Sequence, residues 1–299
     1  MRAMVLHAFD GPDRFREEQL DRPSPAPTEI LVRVAAAGLN PVEWNASAGG
    51  WIAALHNGPP LRLGWDVAGH VADVGYGVTH LKPGDAVFGM PRFPHPAGSY
   101  AEYVTGPSRH FARVPAGMPL VEAAGLPLAG LTAWQALVDV AAVSAGQRVL
   151  VTAAAGGVGH LAVQIAKARG AFVVGTARAE NHGFLRTLGV DHPVDYTTTD
   201  LSTVDPVDIV VDLVSSSGIR LREGGVHISV AGPREDGVEL LVEPDVTGLR
   251  GLADLVGRGL LRVHVDEVFP FDKVVEAHDR GRTGRTRGKL VLSLATISD

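Results

Sequence analysis

Short apolar runs, broken every few residues by glycine or proline, fill the first 115 positions of the chain. MRAMVLHAF, ILVRVAAAGL, GHVADVG and DAVFGM place β-branched and apolar residues between turn formers and predict strands. DRPSPAP and PPLRLG predict loops, because proline fixes φ and has no N–H to give a ladder. Near residue 119 the pattern changes, and PLVEAAGLPLAGLTAWQALVDVAAV predicts helical stretches. Strands and helices then alternate. QRVLVTAA predicts a strand and GVGHLAVQIAKARG a helix, AFVVGTA a strand and NHGFLRTLG a short helix. HPVDY, DIVVDLV and GGVHISVAG predict further strands, and ADLVGRGLLRVHV a last helix running into a return strand. Alternation of this kind predicts parallel βαβ units. Beyond residue 263, VHVDEVFPFDKVVEAHDRGR and GKLVLSL predict a strand, a helix and a closing strand that rejoin the first module.

Composition narrows the picture. The 299 residues suffice for one large domain or two ordinary ones, and 45% apolar with 20% charged residues fits a globular chain with a real core. The formal charge of −6 comes from interspersed signs, without the basic stripe that a nucleic-acid partner needs. No apolar run reaches the ~20 residues that span a bilayer, and MRAMVLHAFDGPDRF lacks the apolar core of a secretion signal. A cytoplasmic protein with no membrane partner is expected. The chain has no cysteine, which excludes disulfides, thiol catalysis and cysteine-ligated zinc or iron–sulfur sites.

Ala154-Ala155-Gly156-Gly157-Val158-Gly159 fills the G-x-G-x-x-G slot with alanine first. By itself this is a weak signal, and a strand-to-helix turn without a ligand would read the same. The strand before it, the helix after it and the second strand that follows favour a dinucleotide turn. The residues assigned to the cofactor here are Ala155, Gly156, Gly157 and Val158. A missing Cβ at Gly156 lets the backbone approach a pyrophosphate, and one at Gly159 lets the helix sit close to the strand. The helix N-terminus adds unpaired N–H groups and about half a positive charge. The second strand ends in Thr176-Ala177-Arg178. NAD sites place a carboxylate about there for the ribose 2′-hydroxyl. Here a cation replaces it, so Arg178 is expected to meet the extra phosphate of NADPH; a solvated surface arginine beside Glu180 is the plain alternative.

AAAGGVG before a helix, the stretch Gly64-Trp65-Asp66-Val67-Ala68-Gly69, the stretch Leu81-Lys82-Pro83-Gly84-Asp85-Ala86-Val87 and the tail Gly288-Lys289-Leu290-Val291-Leu292 occur in this order. Together they resemble the medium-chain dehydrogenase/reductase superfamily, and more narrowly its zinc-free quinone oxidoreductase branch, the zeta-crystallin group. The resemblance covers nearly the whole length. It implies an α/β chain in which a GroES-like β-rich catalytic domain (residues 1–118 with 265–299) flanks a Rossmann doubly wound parallel-sheet domain (119–264), with cofactor and substrate in the cleft between them. It also implies a homodimer joined through the Rossmann sheets. Zinc-dependent members carry ligands at positions matched here by Asn40, Trp65 and Leu128. Indole and isobutyl groups cannot bind zinc and an amide oxygen is a poor ligand, so no metal is expected. His70 and His95 read as lone structural histidines. Thr132 resembles a threonine near the nicotinamide ribose and Tyr196 a tyrosine near the adenosine phosphate. Helix capping and core packing are their respective alternatives.

Without a metal to lower an alcohol's pKa, reduction of an electron-poor acceptor is the easier chemistry. A quinone or an α,β-unsaturated carbonyl takes hydride from NADPH directly, while the protein supplies proximity and orientation. Asn40, Asn45 and Trp65 are the catalytic candidates. Asn40 is read as an amide donor or as the cap of an Asn-Pro turn. Asn45 stands where some relatives carry tyrosine and others lysine. Glu43 and Asp66 are acid, base or structural acceptors, and Trp44, Trp51 and Trp65 an aromatic wall or core. Leu213-Val214 and Ala231-Gly232, at ends of predicted parallel strands, are assigned to the nicotinamide side of the cofactor. SSSGIRLREG joins two predicted parallel strands and is short for a helical crossover. That shortening leaves a second reading open, an NADPH-binding protein of the same fold with little turnover. An enoyl reductase module of a polyketide synthase would share the fold, but both chain ends read as those of a stand-alone protein.

Overall fold

The computed structural model describes residues 1–55 and 58–294. The chain begins with strands β1 (Arg2–Leu6), β2 (Phe15–Gln19) and β3 (Glu29–Leu39), then helix α1 (Pro41–Ser47). Strands β4 (Val67–Val74), β5 (Ala86–Gly89), β6 (Tyr103–Pro107) and β7 (Phe111–Arg113) follow, then helices α2 (Leu120–Ala124) and α3 (Pro127–Trp134). A wide π-helical turn over Gln135–Val140 leads to β8 (Arg148–Val151), α4 (Gly159–Ala168), β9 (Phe172–Ala177), α5 (His182–Thr187) and β10 (His192–Asp195). After them come β11 (Val207–Asp212), β12 (Leu221–Ser229), β13 (Val238–Glu239) and α6 (Val246–Gly257). The chain ends in β14 (Val265–Pro270), α7 (Val274–Arg282) and β15 (Lys289–Ser293).

Two compact units result. The first takes Met1–Leu128, Glu243–Ala253 and the chain from Val263 onward; the second takes Ala129–Val242 and Asp254–Arg262. The first unit thus extends to residue 128 rather than 118, because α2 packs on β3, β4 and β5. Its main sheet runs β14-β15-β3-β4-β5-β7, with β6 also on β3. All its pairings are antiparallel except β14 with β15. The predicted return of the tail is seen directly, since Leu290 of β15 pairs with Leu39 of β3.

The second unit is a six-stranded sheet in the order β10-β9-β8-β11-β12-β13. Every pairing in it is parallel, the order of a doubly wound dinucleotide fold. RVLV and VDIVVD are almost wholly buried, as strands covered on both faces must be. The predicted helix after the glycine turn is α4, and it is buried all round from Gly159 to Ala166. The short crossover is also seen: residues 213–220 contain no helix. Fully extended, such a segment reaches at most ~28 Å, enough to run back along a strand of ~20 Å. Ile219 and Leu221 stand in for a helix, packing with Leu201 and Val204 over Leu150, Val174, Val194, Val207 and Val210. The chain then bulges inside β12, whose register jumps from Val207↔Leu221 to Ile209↔Val226. No helix of the described residues is long and apolar enough to cross a membrane.

The first unit's core holds an unusual histidine. His278 of α7 is buried with its ring edge-on to Phe15 (5.1 Å), Tyr100 (5.9 Å) and Trp44 (6.3 Å). Neither ring nitrogen has a hydrogen-bond partner among the described residues, and burial, with Arg282 nearby, pushes its pKa down to about 3. The unfolded chain therefore takes up a proton that the folded one refuses between about pH 6.5 and 3. Stability attributable to this residue is complete above pH 6.5 and falls by about 1.4 kcal/mol per pH unit as the pH drops through that window. Urea denaturation between pH 7 and pH 4 should show this slope in the wild type and its loss in His278→Phe.

Candidate functional site

In the second unit the polypeptide leaves β8 through a turn held by two threonines. Thr152 N–H donates to Val211 O (3.1 Å) and its hydroxyl to Asp212 Oδ1 (3.1 Å). Thr176 Oγ1 accepts from Ala153 N–H (3.2 Å), and Thr176 O accepts from Ala154 N–H (2.9 Å). Ala153 is thereby held at φ 46°, which turns the chain sharply toward α4. A Cβ on Gly159 would stand 2.3 Å from Ala153 O and 2.7 Å from Ala154 Cα, so only glycine lets the helix start this close. Gly156 N–H closes the turn on Ala153 O (2.9 Å). The backbone N–H groups of Ala155, Gly157, Val158 and Gly159 meet no acceptor among the described residues, and no side chain caps α4. Four amide donors at a helix N-terminus suit a diphosphate.

The other assigned residues of this unit lie at the carboxyl ends of neighbouring strands. Arg178 follows β9 and Tyr196 follows β10, and Arg178 Nε donates to Tyr196 Oη at 3.3 Å. The terminal nitrogens of Arg178 meet no acceptor among the described residues, and Tyr196 is 47% exposed. Leu213 and Val214 follow β11. Their N–H groups are taken by Thr152 Oγ1 (2.7 Å) and Asp212 Oδ1 (3.2 Å), while the Val214 side chain is exposed. Ala231 and Gly232 follow β12, and Gly232 O accepts from Ser229 Oγ (2.6 Å). Thr176 is buried and shapes the turn, and Thr132 is buried in α3. Asp212, which no sequence motif singles out, ties this edge together. Its Oδ2 accepts from Ser216 N–H (2.8 Å), lies 3.3 Å from His227 Nε2 and 3.9 Å from an Arg234 nitrogen.

In the first unit four polar side chains converge in the core. Lys289 Nζ donates to Leu39 O (2.8 Å), to Asn40 Oδ1 and to Asp66 Oδ2 (3.3 Å). Asn40 Nδ2 reaches Asp66 Oδ2 (3.0 Å) and Glu43 Oε1 (3.4 Å), and Asn40 N–H donates to Glu43 Oε2 (2.7 Å). Asp66 Oδ1 accepts from Leu128 N–H (2.6 Å) in the first turn of α3. All four side chains are almost fully buried. The Asn40 amide is thus wholly engaged within the unit. Trp65 is 1% exposed, donates its indole N–H to His95 O (2.8 Å) and lies edge-on to Phe93. Trp44 lies against Gly281, while Trp51 presents an exposed ring (53%). Asn45 is exposed on α1.

Two family models match: the alcohol dehydrogenase GroES-like domain over residues 26–116, and the zinc-binding dehydrogenase domain over 188–292. A quinone oxidoreductase structure from Coxiella burnetii superposes with a TM-score of 0.91 at 35% identity, covering 98% of this chain and 99% of that one. The chloroplast envelope quinone oxidoreductase homolog of Arabidopsis thaliana is 32% identical over 98% of both chains. The chain belongs to the quinone oxidoreductase branch of the medium-chain dehydrogenase/reductase superfamily. The NADPH-dependent alkenal/one oxidoreductase of Arabidopsis chloroplasts is a further relative, 33% identical over 98% of this chain and 79% of its own length.

Within this branch the matched zinc-ligand positions do other work here. Asn40 accepts from an ammonium, Trp65 donates to a carbonyl, and Leu128 offers only its backbone N–H to Asp66. Among the described residues no group of three or more histidines or carboxylates is arranged to hold a metal ion. In the sequence Lys289 stands out only as a member of the closing motif. A lysine opening the apolar strand GKLVLSL is the signal there for a buried charge.

The buried quartet makes two predictions. Desolvation first, and then the negative Asp66, push the Glu43 pKa up to about 8, against the opposing pull of Lys289 and Asn40. The folded state therefore keeps a proton that the unfolded chain releases above about pH 4.5. The stabilisation is complete below that pH and is lost as the pH rises through 8. Glu43→Gln, which imitates the protonated acid, should flatten this decline when unfolding is compared at pH 5, 7 and 9. Lys289→Met leaves the Asp66 carboxylate buried without its cation and should cost about 3–5 kcal/mol in the same assay.

Proposed function

We propose that the protein is an NADPH-dependent reductase that delivers hydride to a quinone or an α,β-unsaturated carbonyl. One observation carries the reading. The glycine turn, Arg178, Tyr196, Leu213-Val214 and Ala231-Gly232 all follow the carboxyl ends of β8, β9, β10, β11 and β12 in a single parallel sheet. That edge is where doubly wound sheets take dinucleotides. The residues fit the cofactor, because amides without acceptors among the described residues stand at the start of α4, where a diphosphate would lie, and a guanidinium whose terminal nitrogens meet no acceptor among them stands in place of the carboxylate of an NAD site.

NADPH, when bound, supplies the hydride. The four amides would hold its diphosphate, Arg178 with the Tyr196 hydroxyl would hold the ribose phosphate, and Thr176 keeps the turn in shape. The Thr152–Asp212 lock fixes the backbone of Leu213 and Val214, which would bind the nicotinamide side. In the first unit, Asn45 and Trp51 offer an exposed amide and an exposed ring for a flat acceptor. Asn40 and Trp65 act from beneath, holding the Asn40–Pro41 turn and the 92–99 loop in place. With Glu43, Asp66 and Lys289 enclosed, the proton that completes reduction comes from water. The quinone and alkenal/one oxidoreductases among the relatives support this acceptor class. A cytoplasmic homodimer belongs to the same proposal, and β13 ends the parallel sheet with an outer edge free for pairing among the described residues.

Loss of NADPH absorbance with phenanthrenequinone, benzoquinone and a simple enone tests the reaction. Binding of NADPH without oxidation across this panel would refute it. Arg178→Ala should lower the NADPH-over-NADH ratio of kcat/KM by about tenfold or more, the worth of one charge-assisted contact. A wild type with no such preference would refute the cofactor assignment.

A further inference from the structure

Residues 62–64 and 98–100 cross in the first unit, and each segment has a glycine where the other brings a side chain. A Cβ on Gly98 would lie 2.9 Å from Arg62 Cβ and 3.4 Å from its Nε. A Cβ on Gly64 would lie 2.6 Å from Ser99 Oγ. Backbone bonds lock the crossing, from Ser99 N–H to Gly64 O (3.1 Å) and from Tyr100 N–H to Leu63 O (3.2 Å). Two glycines therefore make room for one guanidinium and one hydroxyl, and neither group is matched. Arg62 is half-buried and meets no carboxylate or other acceptor among the described residues. Its pKa is lowered by desolvation alone. Ser99 is fully buried and its hydroxyl has no partner among the described residues.

Other partly buried guanidinium groups in this unit are matched, among them Arg2 by Glu102, Arg92 by Glu29 and Arg280 by Asp266. A guanidinium withdrawn from water without an anion is unfavourable, and its planar fork of donors fits a carboxylate in two places. The crossing also leads into the segment that the proposed function sets beneath the acceptor. Trp65 and Asp66 come next in the chain, and the 92–99 loop supports both Trp65, through His95 O, and Arg62, through Gly98.

We propose that Arg62 and the Ser99 hydroxyl bind a carboxylate carried by the acceptor, so that this enzyme favours acidic enones or quinones over their neutral counterparts. The proposal rests on the reductase reading above and narrows its substrate class.

β-Acetylacrylate and its methyl ester present one activated double bond with and without a charge. The acid-to-ester ratio of kcat/KM should fall by about tenfold or more from wild type to Arg62→Gln. Arg62→Lys should restore some of it, and Ser99→Ala should lower it by a smaller factor. A ratio that Arg62→Gln leaves unchanged overturns the proposal. If neither compound is reduced, the quinone and enone panel above decides the reductase reading, and the anion site is judged separately by equilibrium titration of the acid, followed through tryptophan fluorescence. Equal affinity in wild type and Arg62→Gln overturns it there. Acetate titrated in the same way separates the sources. Weaker binding of acetate than of the oxo-acid supports an acceptor-borne carboxylate, and equal binding assigns the pocket to free anions and overturns the proposal.

Discussion

A lysine ammonium with 2% of its surface in water must be surrounded by oxygen, and the first unit is arranged around that requirement. Lys289 comes from the closing strand, Leu39 from the end of β3 with Asn40 just after it, and Asp66 from just before β4. Three distant stretches of the chain are thus fixed by one cation. Asp66 passes the constraint on, because its second oxygen holds the first turn of α3 through Leu128 N–H. Glu43 completes the set as the group that gives way. Two carboxylates and one ammonium in a buried space carry one negative charge too many, and the acid with the weaker hold on Lys289 keeps its proton.

The second unit solves the opposite problem. Its polar groups must be left open to a ligand, and the structure does this by satisfying the neighbours instead. Thr176 takes the donors of Ala153 and Ala154, and Ala153 O takes that of Gly156. The four donors left over are those at the mouth of α4. On the adjacent strand Asp212 has the same role, accepting from its own loop and orienting Thr152. Preorganised donors of this kind need no rearrangement when an anion arrives.

Much of this was legible in the sequence, for physical reasons that differ by region. Strands β8, β9 and β11 are buried almost throughout, so they read as continuous apolar runs, and the glycine turn has a spacing that sterics impose. Strands β2, β6, β7 and β13 were missed. FREEQ is polar, YVTGP holds glycine and proline, and the other two are three and two residues long, so none presents a period to read. The crossover was correctly expected to be short. What the pattern did not show was its solution, in which Ile219 and Leu221 cover the sheet in place of a helix. Trp65 could be named but not placed, because aromatic residues look alike in sequence whether they line a surface or fill a core. Lys289 grips Asn40 and Asp66 from the far end of the chain and Asp212 grips Thr152 from 60 residues away, and separation of that order hides a contact from any local pattern.

The two units together constrain the chemistry. In the first, the groups best suited to proton transfer are enclosed and already bonded to one another, and at the positions matched to zinc ligands stand an engaged amide, a donor-only indole and a backbone N–H. Such a surface cannot ionise an alcohol, which needs a Lewis acid or a strong base at the oxygen. It can hold an acceptor whose own electron deficiency draws the hydride. Specificity in that case depends less on acid–base groups than on what lies around the reacting carbon. On the proposal made for Arg62, a guanidinium that meets no acceptor among the described residues would supply part of that specificity.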